Sequence, residues 1–302
     1  MRWTRWMLPA LLFGAALPSA LTADAGKALP EAPGRPAPAG VTKRLLLVTT
    51  TMGYHHSSIE TAERVIPQLG AAAGSFTVEL AAVKPPPEPG ADASTAQQAG
   101  YATERAAYTN RVRAVLAEKM SAASLQRYDA VAFVNTTGEL PLPDPDALVA
   151  WVRNGGAFIG VHSASDTLHG FRPYIDMLGG EFHHHREQVR VEPVNLAPSH
   201  PATRHFGARW KLGGLLEEIY LLQNHQREAV QPLLALDRHP HSGEPGYHGL
   251  SWCKPFGRGR VFYTALGHNE SVWQLPTFQQ HLAGGIGWAL RLQEERAAPA
   301  GR

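Results

Sequence analysis

The stretch Gly155-Gly156-Ala157-Phe158-Ile159-Gly160-Val161-His162-Ser163-Ala164-Ser165-Asp166 carries the signal that decides the fold. Residues 157–161 form a short apolar run bounded by glycines, the pattern of a parallel strand buried on both faces. The run stops at His162. Open parallel sheets bind ligands in the crevice beyond the carboxyl ends of their strands, so His-Ser-Ala-Ser-Asp stands where chemistry is usually placed. A polar turn with a hydrogen-bonded histidine reads the same way, and this stretch alone does not separate the two.

Upstream, Asp144 followed by Pro145 opens a helix that continues through Leu148, Val149 and Val152 to the Gly155-Gly156 stop. Residues 128–135 read as a strand ending in the turn Thr136-Thr137-Gly138, and residues 104–120 as a helix. Residues 76–82 form a strand that runs into Lys84-Pro85-Pro86-Pro87-Glu88-Pro89-Gly90, a stretch excluded from helix and central strand and read as a surface insertion. The first strand spans residues 43–49. A polar loop follows it, and Ser57 or Ser58 then caps a helix with apolar positions Ile59, Ala62, Val65, Ile66 and Leu69. This alternation predicts an α/β fold: a doubly wound, mostly parallel sheet with helices on both faces.

Downstream the pattern loosens. Residues 171–178 suit a short helix, residues 188–194 an edge or antiparallel strand, and residues 218–222, 230–236 and 247–253 further strands. Residues 260–266 are a buried strand and residues 276–290 a closing helix. Neither a repeat nor a second linker interrupts this, so a single domain over residues 43–293 is the simplest partition, with residues 294–302 as a disordered tail.

Hydrophobic residues make up 44% of the 302-residue chain and charged residues 18%, an ordinary globular balance, and a net charge of +2 argues against nucleic acid as a partner. Fifteen histidines are a more specific signal, because imidazole is the commonest metal ligand and the side chain suited to proton transfer near neutral pH. Arg2 and Arg5, an apolar run over residues 6–17 and the Ala23-Asp24-Ala25 site read as a secretory signal peptide over residues 1–25. That run is too short for a membrane anchor, which needs ~20 apolar residues. Residues 26–42 read as a disordered Pro/Ala-rich tether. The mature protein is therefore expected in the periplasm or medium, starting near Gly26; N-terminal sequencing of exported protein checks this, and a retained N-terminus in a membrane fraction would contradict it. With Cys253 as its one cysteine, the chain forms no internal disulfide.

Four further stretches align with the central one: Gly53-Tyr54-His55-His56-Ser57-Ser58-Ile59, Gly179-Gly180-Glu181-Phe182-His183-His184-His185, Glu217-Glu218-Ile219-Tyr220, and residues 257–268 ending in Leu266-Gly267-His268. With Gly160-Val161-His162-Ser163-Ala164, in this order and spacing, the set resembles the ThuA-like (trehalose-utilisation) family. The resemblance implies a class I glutamine amidotransferase-like, flavodoxin-like fold, with His162 at or beside the elbow where those enzymes carry a nucleophilic cysteine. No cysteine stands there, so thiol-dependent glutamine hydrolysis is not supported. Ser163 is the alternative nucleophile of a Ser-dependent amidohydrolase, although its surroundings lack the G-x-S-x-G spacing. This chain departs from the family pattern in having Glu217 where Asp is usual and Arg186 where Pro is usual.

His56, His162 and His268 each follow an apolar strand, and parallel strands present such exits on one side of the sheet. Glu218 borders an apolar segment, where a carboxylate is expensive unless paired or working. His162, Glu218 and His268 are the expected catalytic groups; Tyr54, His56, Asp166 and His200 are the expected substrate-binding ones. His56, His185 and Glu218 are of the right type to hold a divalent metal ion, without a spacing that dictates one. In an extended His183-His184-His185 the first and third side chains share a face and the second opposes them. His169 and the remaining histidines read as surface or packing residues, and Cys253 as a small buried hydrophobe.

The function these features suggest, within the carbohydrate-utilisation role the resemblance implies, is an exported enzyme acting on a sugar or keto-sugar (glycoside) derivative. His/Glu acid–base chemistry, with metal assistance, suits elimination or hydrolysis next to a carbonyl. A non-catalytic carbohydrate-binding protein on the same fold is the reading from another class. A small-molecule carbohydrate is the expected partner, with no nucleotide cofactor, no membrane association after signal cleavage, and room for a homo-oligomer.

Overall fold

The computed structural model describes residues 42–294; the signal-peptide reading, and all but one residue each of the tether and tail readings, lie outside them. β1 (Lys43–Val48) shows why the strands are continuously apolar: Leu45 and Leu47 enter one core and Leu46 and Val48 another, on opposite faces of the sheet. α1 (Ile59–Ala73) packs Ala62, Val65 and Ile66 into the first core. Ser58 occupies its N-cap position, but the side chain does not cap. Its hydroxyl instead donates to the Gly267 carbonyl at 3.2 Å and accepts from Asn135 Nδ2 at 2.8 Å, tying three strand exits together.

β2 (Phe76–Ala81) lies parallel to β1, and the proline-rich residues after it are irregular, as expected. α2 (Thr95–Met120) begins well before residue 104, because Ser94 and Gln97 form a reciprocal capping box. After α3 (Ala122–Leu125) come β3 (Ala130–Val134), α4 (Pro145–Arg153) and β4 (Ala157–Val161). Asp144 caps α4 as expected, accepting from the Ala147 N–H at 2.8 Å. α5 (Arg172–Leu178) joins α2 and α4 over the second core.

The loose region holds β5 (Glu181–His184), β6 (Val189–Arg190), β7 (Val194–Asn195), β8 (Leu216–Glu217) and β9 (Leu221–Gln223). The strand expected over 188–194 is thus split into two fragments. The one expected over 218–222 begins only at Leu221, because Glu217 Oε1 accepts the N–H of Glu218 at 3.1 Å and takes it out of any ladder. β10 (Gln231–Arg238), β11 (Pro245–Phe256) and β12 (Gly259–Thr264) follow, then α6 (Glu270–Trp273) and α7 (Pro276–Ala289).

The main sheet has the order β2-β1-β3-β4-β12-β11-β10-β7. Its first five strands are parallel, and β11, β10 and β7 continue it antiparallel. α1 and α7 cover one face and α2, α4 and α5 the other, which is the doubly wound arrangement. No helix among the described residues is long and apolar enough to cross a membrane.

Cys253 is fully buried on β11, with Sγ 3.6 Å from both His200 Nε2 and Gln231 Oε1. Cys253→Ser is expected to cost ~1 to 3 kcal/mol of stability, as a hydroxyl is a poor apolar substitute, while leaving catalysis within a few-fold. Urea denaturation alongside turnover checks both; loss of turnover in a folded variant would contradict the assignment.

Candidate functional site

The carboxyl ends of β1, β4 and β12 lead into the segments that carry His56, His162 and His268. His162 has a left-handed backbone, φ +50, directly after β4, and this elbow aims its ring into the crevice. Ser163, the next residue, is fully buried, with its hydroxyl 3.4 Å from His56 Nδ1. Gly267, at φ +116, makes the corresponding turn that brings His268 back over the sheet edge.

The side chains converge. Ring centroids of His56 lie 4.8 Å from His162 and 5.2 Å from His268. His162 Nδ1 is 2.8 Å from the Ala265 carbonyl; a carbonyl only accepts, so Nδ1 carries the hydrogen and Nε2 presents its lone pair inward. That Nε2 lies 3.5 Å from Glu218 Oε2 and 3.3 Å from His268 Nδ1, while His268 Nδ1 is 3.3 Å from the same Glu218 oxygen. The other oxygen, Oε1, faces His185 Nδ1 at 3.1 Å. Tyr220 lies against the His162 ring, 4.4 Å between centroids, and closes the apolar side. His56, His162, Glu218 and His268 each offer one ligand atom, all within 4.8 Å of one another; His185 stands outside that set of four.

Burial sets most of the protonation states. It pushes His56 down to about 2, helped by repulsion from His162 and His268 whenever either is protonated, so this imidazole is neutral across the physiological range. Burial also lowers His162, against the Glu218 and Ala265 hydrogen bonds. Burial would lower His268 as well, but the hydrogen bond and charge of Glu218 and the charge of Glu217 outweigh it and hold His268 above its ordinary value. Burial opposes ionisation of Glu218, yet the two histidines hold it well below the usual carboxylate range. Without a metal ion the centre therefore keeps an anionic Glu218 beside a proton-binding His268.

Two supporting elements carried no functional expectation from sequence. Glu217 is buried behind Glu218, and its Oε1 accepts both the Glu218 N–H at 3.1 Å and the His268 N–H at 3.0 Å. Burial pushes its carboxyl up to about 7, against the backbone N–H groups that hold it down. It stands in a quoted motif, but only its place beside Glu218 pointed to it. His169, read as a packing residue, bridges two carboxylates: Nε2 to Asp166 Oδ1 and Nδ1 to Glu181 Oε1, each 2.7 Å. Burial works against its charge, but the two hydrogen bonds raise it above its ordinary 6.5.

A group raised on folding stabilises the fold fully below its unfolded value and loses that contribution as pH rises through its folded value. The stability lost in His169→Gln should therefore be larger at about pH 5.5 than at about pH 8.5, with the difference shrinking above pH 6.5. Denaturant midpoints of both proteins across that range check this; a difference that grows with pH would contradict it.

Tyr54 is 66% exposed at the rim, its ring edge-on to His56 at 4.8 Å. Asp166 lies close enough to His162 and Glu218 for their charges to act on its carboxyl, which burial raises. His200 does not join them. It is fully buried against Cys253 and Trp288, with Nδ1 accepting the Ala202 N–H, because the loop carrying it folds inward beside α7.

Comparison with known proteins agrees with this architecture. The chain superposes on a ThuA-like protein from Bacteroides uniformis with a TM-score of 0.59 at 17% identity, covering 86% of this chain and 100% of that one. A ThuA-like protein from Parabacteroides merdae gives 0.58 at 16% identity, covering 86% and 94%. At these identities the likeness establishes the fold. No curated protein matches the chain in sequence. The family model described as ThuA, trehalose utilisation, matches residues 44–289, nearly the whole of the described chain, and the protein therefore belongs to the ThuA family.

Proposed function

We propose that this protein is an exported carbohydrate-utilisation enzyme that moves a proton next to the carbonyl of a sugar or keto-glycoside, leading to elimination or hydrolysis. The observation that carries the reading is the pairing of a neutral, buried His56 with a charged Glu218–His268 pair, rings of the two histidines 5.2 Å apart. Environments that push titratable groups in opposite directions are how one site supplies both a proton acceptor and a positive charge. His56 is placed to accept the proton, and the negative charge that develops on the substrate beside it raises its low basicity as the step proceeds. His162, Glu218 and His268 form the facing group, where positive charge is held opposite the oxygen on which negative charge develops. Exposed Tyr54 offers a ring face for the apolar side of a sugar, and Asp166 a carboxylate for its hydroxyls.

The test is a screen of glycosides and their keto forms with purified protein. Turnover of a keto-glycoside that falls by ~100-fold or more in Glu218→Gln supports the reading, since that is the usual scale for losing a group that stabilises charge developing in the transition state. Saturable sugar binding with no turnover of any member would replace it with the carbohydrate-binding alternative.

A further inference from the structure

We propose that His162 Nε2, His268 Nδ1 and Glu218 Oε2 are three ligands of one tetrahedral divalent cation of the zinc type, with the fourth position left to a water or substrate oxygen beside His56. This deepens the catalytic reading of the same site, with the cation taking the place of the His268 proton as the positive charge, and rests on it only for the role of the cation, not for its binding.

The argument is geometric. The three atoms form a nearly equilateral triangle with sides of 3.3, 3.3 and 3.5 Å. Charge-assisted hydrogen bonds between such groups close to about 2.7–2.9 Å, so in a buried site these contacts are long. They are the right length for atoms that share a cation. Zinc binds imidazole nitrogen and carboxylate oxygen at about 2.0–2.2 Å, and a tetrahedron of that radius has edges about 1.63 times longer, roughly 3.3–3.6 Å. An octahedral ion at about 2.1 Å would need adjacent ligands only about 3.0 Å apart.

Donor chemistry agrees. The Ala265 carbonyl takes the Nδ1 hydrogen of His162, fixing the tautomer whose Nε2 lone pair points at Glu218 Oε2. Metal-bound histidines are oriented in this way by a carbonyl or carboxylate on the far nitrogen. Two electron-rich atoms facing each other repel unless a positive charge lies between them. Glu218 is likewise held from behind, its Oε1 by His185 Nδ1 at 3.1 Å. His185 Nδ1 also faces the Arg186 carbonyl at 3.0 Å, so that nitrogen donates. His185 is therefore a residue that positions Glu218, where the sequence suggested a ligand. Two histidines and a glutamate with an open position make up the donor set of hydrolytic and Lewis-acid zinc sites.

The experiment is titration of chelator-stripped protein with Zn²⁺ and Co²⁺, read by equilibrium dialysis and by the visible absorption of bound Co²⁺. One equivalent per chain, an intense tetrahedral-type Co²⁺ spectrum and binding at least ~100-fold weaker in His268→Ala are expected. His268 is partly exposed, so its removal tests the site without opening the core; circular dichroism confirms the fold. His185→Ala should weaken binding ~10–100-fold, as for a residue that orients a ligand, and His56→Ala should retain one equivalent. Substoichiometric binding, unchanged affinity in folded His268→Ala, or loss of metal in His56→Ala equal to that in His268→Ala would each overturn the assignment. None of these readouts uses a sugar. Bound metal without keto-glycoside turnover would remove only the carbohydrate reading, and turnover by stripped protein that binds no Zn²⁺ would remove only the metal.

Discussion

His162→Ala is expected to lower keto-glycoside turnover by ~100-fold or more in a protein that still folds, the largest effect of any single truncation in the centre. The imidazole is fully buried, and it touches the side chains of both Glu218 and His268 while packing against Tyr220. Its removal leaves the Ala265 carbonyl without its 2.8 Å donor, a cost of ~1–3 kcal/mol, too small by itself to unfold an ordinary domain. It also frees Glu218 and His268 to reorient. Steady-state kinetics with far-UV circular dichroism separate lost chemistry from lost fold, and a folded variant within a few-fold of wild type would sink the assignment.

Glu217→Ala should be the most damaging change to stability at the site. One oxygen of Glu217 accepts the backbone N–H groups of both Glu218 and His268, and truncation leaves two donors with no partner. At ~1–3 kcal/mol for each buried orphan, the loss should be about 2–6 kcal/mol. Turnover should fall ~10–100-fold with it, because the residues on both sides of the centre lose their anchor. Glu217→Gln keeps an accepting oxygen and should recover most of both losses. Equal damage from Ala and Gln would show that the charge of Glu217, not its hydrogen bonds, is what the site uses.

The parallel sheet was legible because its strands are buried on two faces: residues such as Leu45 to Val48 are apolar without interruption, and each run ends in a polar loop. The shared position of His56, His162 and His268 followed from strand direction alone. Other features depended on long-range contacts that local pattern does not carry. The first turns of α2 expose Gln97, Gln98 and Gly100 and show no apolar stripe, although the Ser94–Gln97 capping box was there to be read. His200 has the local signature of a turn before Pro201, and only the packing of Trp288 and Cys253 around it makes it a core residue. His169 and Glu181 are 12 positions apart and meet through the chain reversal after α5.

The claim that His162 and Glu218, 56 residues apart in sequence, act as one unit is tested most directly by a double-mutant cycle on kcat/KM. The members would be wild type, His162→Ala, Glu218→Gln and the double variant, assayed on the best keto-glycoside. Groups that serve a single step through one another are strongly non-additive, so once either is gone the second costs little. The 3.5 Å contact predicts a double variant within a few-fold of the slower single variant. Losses that multiply, so that two 100-fold defects give about 10,000-fold, would contradict it and make the two residues independent contributors.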